Sequence, residues 1–201
     1  MTTLCAIQAE DWCVIAAESQ ATTNARIIDS SPVGKIAVNG KFLIAAAGAT
    51  RGANLLTYAW RSPTPTGKPD EFITRNAIPS IRRCFMENGY DIKSEGQSAS
   101  FDNELLLAIK GRLYHIFDDY GWERCGSGLY ATGSGADFAL GAMEALGARD
   151  CDDYAEAIDI AEQAVKIASK LDIFSGGLIQ VAMQDKAGKS FVATLDEDDD
   201  E

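Results

Sequence analysis

Two apolar runs open the chain, Thr3–Ala9 and Trp12–Ala17, with Glu10-Asp11 between them. A strand with one solvated face alternates apolar and polar residues, but this hairpin is apolar on both faces. It therefore has to be covered on both sides, which places it between two layers of structure. Glu10-Asp11 is short and polar enough to be a tight two-residue turn. Pairing outward from that turn sets Thr3 opposite Glu18 and Thr2 opposite Ser19. A slip of one residue changes the partner, yet Glu18 still arrives beside the amino terminus.

The rest of the chain supplies the other layers. Ala21–Ile28 reads as a short strand, and Asp29–Gly34, with Pro32, as a loop. Lys35–Val38 and Phe42–Ala47 flank Asn39-Gly40, a favoured type I′ pair, so Lys35 and Gly48 share one edge of a sheet. Arg51 to about Trp60 is helical in pattern, and the proline-rich Arg61–Pro69 is a loop. A second helical region runs from about Phe72 to Met86, begun or bent by Pro79, with Ile81, Cys84 and Phe85 on its apolar face. Asp91–Ser100 is a polar insertion, and Leu105–Ile109 and Leu113–Phe117 flank the hairpin signal Lys110-Gly111.

Leu129–Thr132 is a strand that leads into Gly133-Ser134-Gly135 and a helix from Ala136 to about Leu146. Asp153–Leu171 is amphipathic, its apolar stripe made by Ala157, Ile158, Ile160, Ala161, Ala164, Val165, Ile167 and Ala168. Ser175-Gly176-Gly177 precedes the strand Leu178–Met183, and Asp185–Gly188 turns into Ser190–Leu195. Strands, two helices, strands, two helices and strands predict an α+β fold: two antiparallel sheets stacked and flanked by helices, a four-layer αββα sandwich. Nothing in 1–195 separates a second domain, so that stretch is expected to fold as one. The acidic 196–201 is expected to be a disordered tail.

Charge and composition exclude several functions. The net charge of −12 includes six acidic residues at the very end, which leaves the body near −6 and ill suited to a phosphate backbone. No apolar run reaches the roughly 18 residues of a membrane span, and no basic-then-apolar leader suggests export. Five widely spaced cysteines without a C-x-x-C pair fit reduced thiols in a cytoplasmic protein. The lone histidine, His115, sits in a strand-like run, so neither a Ser-His-Asp triad nor a multi-histidine metal site is expected.

Thr2 is the residue on which the functional reading converges. If Met1 is removed, Thr2 carries a hydroxyl and a free α-amine, and the amine can serve as the base that the hydroxyl needs. Glu18 reaches it by the hairpin pairing, and Lys35 and Gly48 arrive at a sheet edge. A carboxylate can hold the lysine ammonium, the ammonium can lower the pKa of the hydroxyl, and the Gly48 N–H can stabilise an oxyanion. Taken alone, Lys35 reads as a snorkelling surface residue, Ser134 as a helix cap, and Asp172 and Ser175 as a helix end and turn. Gly133-x-Gly135 lacks the third glycine of a dinucleotide loop, and Asp137 would face the phosphate.

Four blocks of the sequence resemble the proteasome β-subunit and HslV group of N-terminal-nucleophile threonine proteases. They are Thr2-Thr3 through Glu18-Ser19-Gln20-Ala21-Thr22, Lys35-Ile36 through Gly48, Tyr130 through Ala136, and Asp172-Ile173-Phe174-Ser175-Gly176-Gly177. The Met-Thr-Thr start is similar to HslV, and the last block to the proteasomal β type. The resemblance implies an Ntn-hydrolase fold and a threonine-type endopeptidase. Thr2 takes the nucleophile position, Glu18 that of its acidic partner, Lys35 that of the lysine and Gly48 that of the oxyanion donor. Ser134, Asp172 and Ser175 match residues that support the threonine and its amine. Glu18 stands where aspartate is commoner, and the loop before Lys35 is one residue longer than usual.

The resemblance further implies protein or peptide substrates and no cofactor. It implies homo-oligomeric rings, hexameric or heptameric and stacked, with an AAA+ ATPase unfoldase as partner. Two other readings keep the same fold: a catalytically inactive ring or assembly subunit, and an amidase acting on small molecules.

Overall fold

The opening hairpin forms as the sequence predicts. In the computed structural model, which describes residues 2–23, 26–28, 34–91 and 99–195, β1 (Thr3–Gln8) pairs antiparallel with β2 (Trp12–Glu18). Leu4 faces Ala17 and Gln8 faces Cys13, so Glu10-Asp11 is the turn. The predicted strand over Ala21–Ile28 is instead two short strands, β3 (Ala21–Thr23) and β4 (Arg26–Ile28), paired as a separate small hairpin. Polar Thr22 and Thr23 followed by Arg26 cannot keep one strand buried, and β4 is exposed along its length. The expected loop at 29–33, the core of the insertion at 92–98 and the acidic tail at 196–201 lie outside the described residues, as does Met1.

A second sheet begins with β5 (Ile36–Asn39) and β6 (Phe42–Gly48). Here the turn is one residue later than predicted: Asn39 pairs with Phe42, which leaves Gly40-Lys41 as the loop. Asn39 stays in the strand because its side-chain amide donates to the carbonyls of Leu56 and Trp60, at 2.8 and 2.9 Å. Two hydrogen bonds to helix-end carbonyls outweigh the local Asn-Gly preference. Next come α1 (Thr50–Asn54) with a wide π turn over Leu55–Ala59, then α2 (Pro69–Phe72), a π turn over Ile73–Ala77, and α3 (Ile78–Glu87). The predicted bend at Pro79 is this π turn, which relieves the missing proline N–H and its ring clash.

Strands β7 (Asn103–Ile109), β8 (Arg112–Ile116) and β9 (Trp122–Glu123) complete the second sheet in the order β5-β6-β7-β8-β9. β10 (Leu129–Gly133) joins the first sheet, followed by α4 (Ala136–Ala145) and α5 (Tyr154–Leu171), the latter capped by the Asp153 carboxylate. β11 (Ile179–Asp185) and β12 (Ser190–Leu195) finish the first sheet in the order β10-β1-β2-β11-β12.

Alternate residues of each strand enter different cores, which defines the four layers. Cys5, Ile7, Val14, Ala16 and Val181 pack with α4 and α5. Leu4, Ile15, Ala17, Leu43, Ala45 and Leu106 fill the space between the sheets. Phe42, Ile44, Leu105 and Leu107 pack against α1–α3. Each large, fully buried side chain contributes about 1.5–3 kcal/mol. The α5 stripe is buried as predicted except at its margins: Ile158 is only partly covered and Ile167 is exposed. The αββα sandwich is the fold. No helix among the described residues is long and apolar enough to cross a membrane.

Three glutamines cross the interior between the sheets. Gln8 accepts from Leu113 N–H, Gln180 from Ile36 N–H and Gln184 from Gly111 N–H. Each sits on an inner face, where an amide survives burial only if it finds a partner. Here the partners are backbone groups of the opposite sheet.

Candidate active site

β1, β2, β5, β6, β10 and the segment after α5 end at one place, and the chemistry-bearing residues collect there. The Glu18 carboxylate is fully buried and surrounded by donors. Oε1 accepts from Thr3 N–H at 3.2 Å and pairs with Lys35 Nζ. Oε2 accepts from Gln20 N–H at 2.7 Å and Gly176 N–H at 3.2 Å. An ionised carboxylate is acceptor-only, and four donors are what a buried one needs. Lys35 is largely buried. Burial pushes its pKa below the ordinary lysine value, and the opposing pull of Glu18, then Asp172, does not fully cancel that.

A second cluster lies on the α4–α5 side of Thr3. Asp172 Oδ2 accepts from Ser134 Oγ at 2.6 Å and from Ser175 Oγ at 2.7 Å, and Oδ1 accepts from Phe174 N–H at 3.2 Å. Burial works to raise the Asp172 pKa, but the hydroxyl and N–H donors outweigh it and hold the carboxyl below its ordinary value. Ser175 spends its one proton on Asp172, so in the 2.7 Å contact between their hydroxyls Thr3 donates to Ser175. Ser134 likewise points its proton at Asp172, with the Thr2 carbonyl 3.5 Å away.

The glycines around Ser134 let these groups approach. Gly133 has φ +93°, and a Cβ there would stand 2.0 Å from the Thr2 carbonyl oxygen. A Cβ on Gly135 would stand 1.9 Å from Thr3 Oγ1. No side chain is tolerated at either position.

Thr2 itself is 3% exposed and lines cavities on two sides. The smaller, about 180 Å³, is shared with Ser19, Gly34, Lys35, Ala46 and Gly48. The larger, about 480 Å³, is bordered by Thr2, Gly48, Asp102, Glu104, Asp118 and Thr132 among others. All seven sequence-derived site residues therefore come together: Thr2, Lys35, Gly48 and Ser134 line the cavities, Glu18 is buried against Lys35, and Asp172 and Ser175 are buried against Ser134.

Four participants were not legible beforehand. Thr3 links the groups, its N–H on Glu18 and its hydroxyl on Ser175. Gln20 and Gly176 donate backbone N–H groups, which no residue type announces. Asn103 donates to the carbonyls of Ala47 and Ala49, at 3.0 and 3.1 Å, and so brackets Gly48. A polar residue buried at the head of β7, ahead of Glu104 and the apolar Leu105–Ile109, was the one available sign of it. The buried thiols of Cys5 and Cys13 are pushed up to about 12 by burial, which keeps them protonated packing groups.

No family model matches the chain, and no curated protein matches it in sequence. Solved structures do match. BPH of Thiobacillus denitrificans superposes with a TM-score of 0.72 at 22% identity, covering 98% of this chain and all of BPH. The same protein in complex with epoxomicin gives 0.72 at 21% identity over 97% of this chain. HslV of Trypanosoma brucei gives 0.62 at 25% identity, covering 92% of this chain and 99% of that protein. The chain is HslV-like. The match runs the length of both proteins, so the HslV-like fold accounts for the sheets, the helices and the edge at which Thr2 lies.

Proposed function

We propose that this HslV-like protein is a threonine-type endopeptidase in which Met1 is removed and Thr2 is the N-terminal nucleophile. The observation that carries this reading is the fully buried Glu18 carboxylate paired with Lys35, which lines the same cavity as Thr2. A buried ion pair is weak support for a fold. With its lysine lining a cavity that Thr2 also lines, it is well suited to chemistry.

In the proposed reaction Thr2 Oγ1 attacks the scissile carbonyl carbon while its proton passes to the α-amine of Thr2. The Lys35 ammonium, held by Glu18, favours the developing oxyanion of threonine. The Gly48 N–H stabilises the tetrahedral oxygen. As the C–N bond breaks, the amine returns the proton to the leaving nitrogen, leaving an acyl ester on Thr2. Water, deprotonated by the same amine, hydrolyses that ester. Ser134, Asp172 and Ser175 keep the amine and Thr3 in place. The two cavities that flank Thr2 suit an extended peptide lying across it, which favours peptide substrates over small amides.

We further propose that 1–195 acts as one domain and assembles into homo-oligomeric rings of six or seven copies, stacked and served by an AAA+ ATPase unfoldase in the cytoplasm. A Thr2→Ala variant tests the chemistry. Peptide hydrolysis should fall by at least about 10³-fold with the thermal unfolding curve little changed. Unchanged hydrolysis by a folded Thr2→Ala variant rules the mechanism out.

A further inference from the structure

Gln180 lies on β11 beside Ala17, the neighbour of Glu18 in β2. Its side chain leaves that sheet and crosses to the other, where Oε1 accepts from Ile36 N–H at 2.9 Å. Ile36 directly follows Lys35 and opens β5. The amide has room because residue 34 is glycine: a Cβ on Gly34 would stand 2.0 Å from the Gln180 amide carbon. One side chain thus reaches the backbone on both sides of Lys35, from a strand paired with the one that carries Glu18.

We propose that Gln180 is a positioning residue that holds Lys35 on Glu18 by fixing the start of β5. The proposal rests on the peptidase reading for its kinetic consequence, but not for the tie itself. β5 is short, and Lys35 precedes its first residue, so without an anchor this end of the strand would fray. The ladder adds only the Lys35 carbonyl, which accepts from Ala46 N–H at 3.3 Å. Lysine has four rotatable carbons and would leave a buried carboxylate for water if its backbone moved. A displacement of about 1 Å in a catalytic group can cost about 10²-fold in rate.

Gln184 supplies the control. It sits four residues on along β11, is fully buried where Gln180 is half-buried, and also crosses between the sheets, with bonds to Gly111, Lys41 and Ser190. It touches nothing in the Thr2 cavities. A glutamine that merely joins sheets would behave alike at both positions.

The test compares Gln180→Met, Gly34→Ala and Gln184→Met in the full chain, with two readouts. The first is the rate at which Lys35 is dimethylated by formaldehyde and borohydride, followed by peptide mass spectrometry. It needs no catalytic activity. The second is the steady-state split between kcat and KM on an unfolded-protein or peptide substrate. Lys35 should be protected in the wild type and in Gln184→Met, and modified at least about fivefold faster in Gln180→Met and Gly34→Ala. In those two variants kcat should fall about tenfold or more with KM little changed, while Gln184→Met keeps the wild-type kcat and loses only stability. Equal Lys35 protection in Gln180→Met and Gln184→Met overturns the proposal, as does an equal fall of kcat in both. An inactive wild type with faster Lys35 labelling in Gln180→Met contradicts the peptidase reading and leaves the positioning role standing. Gly34→Ala keeps the test decisive if Gln180→Met does not fold.

Discussion

Glu18 has no contact with water, and its charge is tolerated because four donors converge on it from β1, the segment after β2, the turn after α5 and Lys35. Removing that charge strands the Lys35 ammonium in the interior. Glu18→Gln is therefore expected to destabilise the protein by about 3–5 kcal/mol, read as the loss of unfolding free energy in urea. Asp172 adds a pH dependence whose sign follows from its lowered pKa. The unfolded chain takes up a proton at a higher pH than the folded one, so stability rises with pH across the interval between the two values. The contribution is complete above the ordinary carboxyl value of about 3.9 and is lost as pH falls through the folded pKa. Asp172→Asn should thus be less stable than the wild type at pH 7, and the gap should narrow below about pH 4 in urea titrations at a series of pH values. A gap that stays constant down to pH 2 would mean that the carboxylate is not what the serines stabilise.

At the scale of elements, hairpin chemistry was the most readable part of the sequence and also where it misled once. Lys110-Gly111 forms the predicted turn with both residues at positive φ, 53° and 72°. A lysine there carries a left-handed cost of about 1–2 kcal/mol, against which glycine loses about 0.4–1 kcal/mol of unfolded-state entropy. Lys110→Gly is expected to stabilise the protein by about 0.5 kcal/mol in urea, and a net loss would show that the lysine side chain has a role in the turn. Asn39-Gly40 looked equally clear, yet tertiary bonds from Asn39 to the end of the π turn moved that loop by one residue. Amphipathic period placed α5 to within a residue of its ends because its stripe faces a sheet. The π turns had no such signal beyond Pro79, since a π turn and an α turn bury nearly the same face.

At the scale of the whole molecule, the four layers followed from one property of the first hairpin: strands apolar on both faces need cover on both. The same property carried Glu18 to the start of β1 beside Thr2, and the second hairpin brought Lys35 and Gly48 to one edge, so four of the seven site residues were legible from hairpin pairing. Ser134, Asp172 and Ser175 were legible only through resemblance to a family, because the cluster joins residues from β10–α4 and the end of α5 that no local pattern connects. The backbone donors Gln20 and Gly176 and the sheet-crossing Gln180 were hidden for a simpler reason. Their contribution depends on where the chain passes rather than on which side chain it carries.

Whether a freed Thr2 is the nucleophile can be read from the intact mass of the protein after incubation with a peptide epoxyketone. The chain should be lighter by one methionine and carry a single adduct that peptide mapping assigns to Thr2 through both its hydroxyl and its amine. A chain that retains Met1, or an adduct on any other residue, would contradict that role.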